Sequence, residues 1–201
     1  MKKITAFTII FSLFAFLAFA DSKNESLLNK LSSVKTFTAE FKQINNLKDF
    51  GDDIYTGKVS IIMGETALWD YNEPYNSWYL ITDKNVDYFD EINNQLVKMN
   101  AKEIKEYALL QVLMDFKKIS STFMVSEKKD MLILKPKDSN TGLLYINILF
   151  KDNVISQLES KDNTGNTTTI TFSQTAYDKE ISKNTFKKKL PKDVTVINNG
   201  N

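Results

Sequence analysis

Alternation of apolar and polar residues predicts strands along most of the chain. In FTAEFKQ (37–43), Phe37, Ala39 and Phe41 fall on one face and the residues between them are polar. A period of two is typical of a strand with one buried face. Comparable segments occur at 55–63, 67–71, 77–82, 86–91, 94–99, 122–127, 131–136, 143–150, 154–160 and 167–174, and a last short strand or extended piece is expected within 186–197.

Short polar turns, including 47–53, separate these segments and favour antiparallel hairpins. Helical spacing of Leu27, Leu28, Leu31 and Val34 predicts a helix capped by Ser22–Glu25, and segment 101–119 predicts another. The second helix is apolar over a wide arc and should be well covered. We therefore expect a mainly β (α+β) fold, in which a single curved antiparallel sheet of around ten strands is plugged by two or three helices.

The first twenty residues have the features of an export signal. Lys2 and Lys3 precede a long apolar run, and Ala18-Phe19-Ala20 has the small-x-small pattern of a cleavage site. A retained membrane anchor is the alternative, although the run is rather short for a span. We expect residues 1–20 to be a cleaved signal peptide and residues 21–201 to form a single domain.

Composition removes several classes of function. The chain has no histidine and no cysteine, so catalytic triads, Cys-His pairs and zinc sites built on these residues are excluded. Its 26 basic residues, all lysine, nearly balance 25 acidic ones, which argues against nucleic acid as a partner. We therefore expect no enzyme activity, no metal and no cofactor.

The aromatic residues of segment 67–90, which include both tryptophans, are the most distinctive candidate site. They are compatible with an ordinary core, because aromatic side chains pack well in strands. They are also compatible with the lining of a cavity for an acyl chain or another apolar guest. The residue pattern alone leaves both interpretations open.

Three weaker candidates have simple structural explanations. Carboxylates near the 83–91 hairpin could act on a glycosidic bond, but most should be solvated at turns. The Ser-x-x-Lys spacing of Ser32 and Lys35 lacks the companion motifs of serine acyl-enzymes. The run Lys187–Lys189 could contact anionic lipid or an acidic partner, or could simply be solvated.

The order of several motifs resembles the outer-membrane lipoprotein carrier (LolA) family. The segments SSVKTFTAEFKQ, YTGKVSII, LWDYNEP and ITDKNVDYFD follow one another as in that family, and LKPKDSNTGLLYINILF and TFKKKLPKDVTVI resemble its later units. The motif positions are Phe37, Phe41, Gln43, Gly57, Trp69, Tyr71, Pro74, Asp83, Tyr88 and Phe89.

The resemblance implies an incomplete β-barrel closed by about three helices as a lid, in a monomeric periplasmic carrier without enzyme activity. Such a carrier accepts acylated lipoproteins from an inner-membrane ABC transporter, shields their acyl chains in a cavity, and delivers them to an outer-membrane acceptor or to the outer membrane itself. Another envelope lipid or glycolipid as cargo, and a periplasmic docking module that binds no lipid, are the alternatives; a carboxylate-based hydrolase comes third.

Strand parity and the resemblance together predict the residues that line the cavity. Parity groups Phe37 with Phe41, Ile61 with Met63, and Trp69 with Tyr71. Members of the family often carry an arginine at or near the position of Met63, where it ties the lid shut, but this chain contains no arginine. The full predicted lipid-binding set is Phe37, Phe41, Ile61, Met63, Trp69, Tyr71, Leu80, Phe89, Leu110 and Met114.

Overall fold

Twelve strands form one curved, open sheet in the part of the chain that the computed structural model describes, residues 26–101, 112 and 114–199. The mainly β prediction is therefore confirmed. The strands are β1 Thr36–Leu47, β2 Gly51–Ile62, β3 Thr66–Glu73, β4 Ser77–Thr82, β5 Asn85–Asp90, β6 Gln95–Asn100, β7 Phe123–Lys128, β8 Met131–Pro136, β9 Leu143–Lys151, β10 Val154–Asp162, β11 Thr167–Tyr177 and β12 Thr195–Asn198.

Two antiparallel meanders make up this sheet. Their strand order is β12-β6-β5-β4-β3-β2-β1-β11-β10-β9-β8-β7, so β1 to β6 form one meander and β7 to β11 the other. The meanders join through the antiparallel pair β1–β11, in which Phe41 lies opposite Phe172. Strand β12 pairs with β6 in parallel, so the expectation of a purely antiparallel sheet was wrong at this edge.

Cross-strand register lines up the apolar side chains on one face of the sheet. Phe37 lies opposite Ile61, Ile61 opposite Ala67, and Ala67 opposite Ile81. Directly opposed residues in neighbouring strands point to the same face of the sheet. The apolar residues of successive strands therefore lie side by side on one face. We call this the inner face; its buried apolar residues are Phe37, Ala39, Phe41, Val59, Ile61, Ala67, Trp69, Ile81, Val86, Phe123, Leu132, Leu134, Ile146, Ile148, Phe150, Ile155, Leu158, Ile170 and Phe172.

Short helical elements cover part of the inner face. Helix α1 spans Leu27–Ser33; its N-cap is Ser26, whose hydroxyl accepts a hydrogen bond from the Asn29 N–H. The predicted capping residues Ser22–Glu25 lie outside the described residues. Helix α2 spans Ile119–Thr122 and follows the 3-10 turn Phe116–Lys118. We call Val112 with residues 114–122 the cover segment, because its apolar side chains pack into the same core.

The predicted helices are only partly observed. Residues 102–111 and 113, which make up much of the predicted 101–119 helix, lie outside the described residues. About three helices were expected; among the described residues, α-helices span Leu27–Ser33 and Ile119–Thr122, and Val112 and Met114 are also helical. Within the cover segment, the side chain of Asp115 accepts a hydrogen bond from the Lys117 N–H and so starts a 3-10 turn at Phe116.

The first hairpin is longer than the sequence pattern predicted. Segment 47–53 was expected to be a turn, but Gly51–Asp53 belong to β2 and pair with Asn45–Leu47. These residues are mostly exposed and polar, so they show no buried alternation, and the backbone ladder alone extends the strand.

Gly57 marks a point where β2 and β3 approach too closely for any side chain. A Cβ atom at this position would collide with the backbone carbonyl oxygen of Asp70 and would lie 2.8 Å from the ζ carbon of Phe41. The absence of a side chain therefore lets the Phe41 ring pack across β2, and this ring contacts Trp69 and Tyr71 at centroid distances of 5.0 and 5.1 Å.

We predict that Gly57→Ala lowers the free energy of unfolding by about 1–3 kcal/mol, because the new methyl group overpacks a region bounded by rigid backbone. Urea unfolding followed by circular dichroism measures this change. Ser60→Ala, on the other face of the same strand, serves as the control and should stay within about 0.5 kcal/mol of the wild type. Equal stability of Gly57→Ala and wild type would contradict the close packing described here.

Candidate functional site

Five of the predicted lining residues meet on the inner face. Phe37, Phe41, Ile61 and Trp69 are buried there, and Tyr71 is half-buried. Phe41 contacts both Trp69 and Tyr71, so three of these rings form one continuous aromatic surface.

Met63 and Met114 connect this surface to the cover segment. Met63 lies just after β2 and is half-buried against the inner-face core. Met114 is buried and belongs to the cover segment. Nearby, Phe37 meets the Phe116 ring edge-on at 6.4 Å. The cover segment therefore makes contact at the end of the inner face that carries Phe37 and Met63.

Leu80 and Phe89 do not join the other predicted residues. Leu80 lies opposite Leu68, and Phe89 lies opposite Trp78; all four face away from the inner-face core. The reason is strand parity, since Ile81 of β4 and Val86 of β5 are the residues that face inward. The prediction that Leu80 and Phe89 share a lining with Phe41 and Trp69 was therefore wrong. Leu110 lies outside the described residues.

The outer face, defined by Leu68, Trp78, Phe89 and Leu96, is a second apolar cluster under the C-terminal segment. Phe186 and Val194 of that segment pack against it. Lys188 Nζ lies 2.7 Å from Asp70 Oδ1 and fastens the segment to β3. Of the predicted lysine run, Lys188 is thus used in a half-buried ion pair, whereas Lys187 and Lys189 are exposed.

The second meander adds inner-face residues that were not among the predicted lining. Leu132, Ile148 and Leu158 lie side by side in adjacent strands and are fully buried. The alternation in MLILKP and LLYINILF contained the signal for them. The predicted lining came instead from the motif positions of the first meander and from segment 101–119.

The Trp69 indole is the unusual polar group of the inner face. Its ring is 1% exposed, and Nε1 has no hydrogen-bond partner within residues 26–101, 112 and 114–199. A buried N–H without a partner costs about 1–3 kcal/mol. Trp69 therefore supplies a hydrogen-bond donor to any polar atom that enters among the apolar side chains.

A pocket of about 230 Å³ lies beside the cover segment. Its apolar lining includes Val112, Met114, Ile119 and Phe123, and its polar margin includes Asp83, Asp115 and Lys118. The pocket therefore lies between the cover segment and the start of β7, next to the β2–β3 turn at Gly64.

The weaker sequence candidates have structural roles. Helix α1 ends at Ser33, so Ser32 and Lys35 do not share a helix face. The Ser32 hydroxyl lies 3.5 Å from the Phe116 carbonyl oxygen, and the Lys35 N–H donates to the Asp178 carboxylate at 2.7 Å. The described part of the chain contains no group of three or more potential metal ligands.

Helices among residues 26–101, 112 and 114–199 lack the length and apolar character needed to cross a membrane.

The profile of the family described as "Outer membrane lipoprotein carrier protein LolA" matches residues 32–189. The chain belongs to the LolA family. An outer-membrane lipoprotein carrier protein of Helicobacter pylori is 30% identical over 200 residues, covering 95% of this chain and 96% of the relative. The corresponding protein of Neisseria meningitidis serogroup B is 26% identical over 148 residues, covering 71% and 72%.

Solved structures agree on the fold. A LolA superfamily protein of Nitrosomonas europaea has a TM-score of 0.51 at 12% identity, covering 81% of this chain and 96% of that one. An uncharacterised conserved protein of Thermus thermophilus has a TM-score of 0.53 at 13% identity, covering 86% and 94%. At these identities the similarity establishes the fold alone.

A backbone hydrogen bond joins the cover segment to the turn between β2 and β3. The N–H of Gly64, next to Met63, donates to the Met114 carbonyl oxygen at 2.9 Å. Gly64 adopts a φ of +77°, which favours glycine. Asp115 accepts from the Lys117 N–H and pairs with Lys118 at 3.4 Å, so the residue after Met114 is also held. The cover segment is thereby joined to the β2–β3 turn without a guanidinium group.

We predict that Asp115→Ala accelerates amide hydrogen exchange at Gly64 by about fivefold, because losing a cap costs about 1 kcal/mol and loosens the residues next to Met114. NMR-detected exchange measures the rate. Asp138→Ala is the matched control, since Asp138 caps the distant turn Ser139–Thr141 in the same way. If Gly64 exchanged equally in both variants, its hydrogen bond would not depend on the cap.

The buried phenol of Tyr71 should make the free energy of unfolding depend on pH. Burial, followed by the neighbouring phenols of Tyr79, Tyr55 and Tyr88, raises the pKa of Tyr71 above the ordinary tyrosine value. The unfolded chain therefore releases this proton first as pH rises, so the stabilising effect is complete below about pH 10 and is lost above it.

We expect the free energy of unfolding to fall with pH above about 10, with Tyr71 contributing up to about 1.4 kcal/mol per pH unit. Urea unfolding at a series of alkaline pH values measures the slope, and Tyr71→Phe should have a shallower one. Lysine titration is common to both proteins and cancels in the comparison. Identical slopes would show that the Tyr71 phenol is not shielded as described.

Proposed function

We propose that this protein is a periplasmic lipoprotein carrier. It accepts acylated lipoproteins from an inner-membrane ABC transporter, shelters their acyl chains on the inner face, and passes them to an outer-membrane acceptor or to the outer membrane. Membership of the LolA family and the names of the related proteins support the lipoprotein cargo. The transfer partners follow from the same family relation.

The continuous inner face is the observation that carries this proposal. Apolar side chains run across both meanders, from Val86 on β5 to Leu132 on β8, and the described elements that cover them are short. A surface of this kind suits flexible acyl chains, which need apolar contact along their length and few hydrogen bonds. The outer face is covered by the C-terminal segment and is a poorer candidate.

Reversibility follows from what already occupies the inner face. Burial of an acyl chain stabilises the complex by about 0.8 kcal/mol per methylene group. A guest must first displace Phe116, Ile119 and Met114, which are buried against the inner-face core. The lost contacts offset part of the gain, so the protein can both take up and release its cargo. No covalent step is required.

Lipoprotein release from spheroplasts tests this function. Purified protein lacking residues 1–20, added to spheroplasts of the source cell, should yield soluble complexes with acylated lipoproteins in the supernatant. Met63→Gln should reduce release by roughly tenfold, because it places a polar amide against the guest. Leu80→Gln, an equally half-buried position on the outer face, is the matched control and should release normally.

The outcomes separate the candidate functions. Loss of release in Met63→Gln alone supports a carrier that uses the inner face. Equal loss in both folded variants would contradict the choice of face. No release by the wild-type protein, with the transporter shown to be active, would contradict the carrier function and favour a docking module.

A further inference from the structure

The inner face changes chemistry along the direction of its strands. On β4, the inward residues run from Ile81 through Tyr79 to Ser77, and on β5 from Val86 through Tyr88. On β1, Phe37 and Phe41 are followed by Gln43. One end of the face is therefore hydrocarbon, beneath the cover segment, and the opposite end is phenolic and amide in character.

A pocket of about 160 Å³ opens at the polar end, and we call it the tyrosine pocket. It is lined by Tyr55, Tyr71, Tyr79 and Tyr88, together with the amides of Gln43 and Asn45. The rings of Tyr79 and Tyr88 stack on each other at 4.4 Å, and Tyr71 meets Tyr55 and Tyr79 edge-on. Because the rings cover one another, hydrogen bonding is the main means by which the pocket can contact a guest.

Hydrogen bonds hold these polar groups in place. The Tyr71 hydroxyl donates to Gln43 Oε1 at 3.1 Å, and Gln43 Nε2 donates to Asn45 Oδ1 at 3.0 Å. The Thr168 hydroxyl donates to the same Asn45 oxygen at 3.1 Å. An amide nitrogen has two N–H donors, and Gln43 uses one of them in this bond. Tyr71 therefore orients the Gln43 amide, and the second N–H of that amide is a fixed donor beside the aromatic surface of Phe41 and Trp69.

The carboxylates near the tyrosine pocket favour a guest that carries no negative charge. The residues that line the pocket carry no formal charge, while Asp53 lies near Tyr55 and Asp90 near Tyr88. Burial and the Asp53 carboxylate raise the pKa of Tyr55, and burial, Tyr79 and Asp90 raise that of Tyr88. The phenols therefore remain hydrogen-bond donors at neutral pH, and the nearby carboxylates repel anionic groups such as phosphate.

We propose that the tyrosine pocket binds the uncharged neck of an acylated guest, the ester and amide carbonyl groups that join its acyl chains to its peptide. This inference rests on the proposed function and gives the cargo a direction. The acyl chains lie toward Ile61 and Ile81, the neck lies against Tyr71, Tyr88 and Gln43, and the peptide leaves the sheet at this end. The second amide N–H of Gln43 and the phenol O–H of Tyr88 are the donors from which the carbonyl oxygens accept, and Tyr71 holds the Gln43 amide in position.

Two probes separate the neck from the acyl chains. Isothermal titration calorimetry would measure binding of a synthetic triacylated cysteinyl peptide with uncharged side chains, and of palmitic acid. The double variant Tyr71→Phe/Tyr88→Phe removes two hydroxyls while keeping the rings. Tyr145→Phe is the control, because its hydroxyl donates to Glu159 at 3.0 Å, away from the pocket.

We expect the double variant to bind the lipopeptide about tenfold more weakly and palmitic acid within about twofold of wild type. Gln43→Leu, which removes the amide donor that Tyr71 orients, should give the same selectivity and replaces the double variant if that protein does not fold. Equal weakening for both probes, or no weakening, would overturn the role of the pocket while leaving acyl binding intact. Failure of the wild type to bind either probe would contradict the proposed function itself, and the inference with it.

Discussion

Backbone hydrogen bonds join all twelve strands into one sheet and thereby decide which side chains face inward. Once the strands are joined in register, each residue is assigned to one of two faces, and a slip of one residue would reverse the assignment. The row from Phe37 through Ile61, Ala67 and Ile81 shows the result, because four strands place their apolar residues on the same side. Gly57 permits this packing where β2 and β3 come closest to the Phe41 ring.

The two faces of the sheet are covered by different segments, and only the inner face is left with short covering elements among the described residues. The outer cluster is covered by the chain's own C-terminal segment and is fastened by the 2.7 Å ion pair between Lys188 and Asp70. The inner face is covered at one end by α1 and the cover segment, which is joined to the sheet by the bond from Gly64 to Met114. In the proposed function, a guest replaces those contacts on a surface already arranged for apolar groups.

Much of this organisation could be predicted from residue patterns. Period-two alternation located most strands, and it correctly placed Phe37, Phe41, Ile61, Trp69 and Tyr71 together. Leu80 and Phe89 were misplaced because aromatic and aliphatic residues occur on both sides of β4 and β5, so their alternation does not say which side is inward. Only the register with β3 and β6 decides that question, and register is a property of strand pairs. The parallel pairing of β12 and the backbone bond at Gly64 depend on long-range contacts in the same way.

Site-specific photo-crosslinking in the source cell would show whether the inner face holds the acyl chains. A photoreactive phenylalanine derivative would replace Tyr71 on the inner face or Leu80 on the outer face, and mass spectrometry would identify what each one captures. We expect position 71 to capture acylated lipoproteins through their acyl chains or neck, and position 80 to capture few or no acylated lipoproteins. Acyl adducts at position 80 but not at position 71, or only unacylated partners at both, would contradict this expectation.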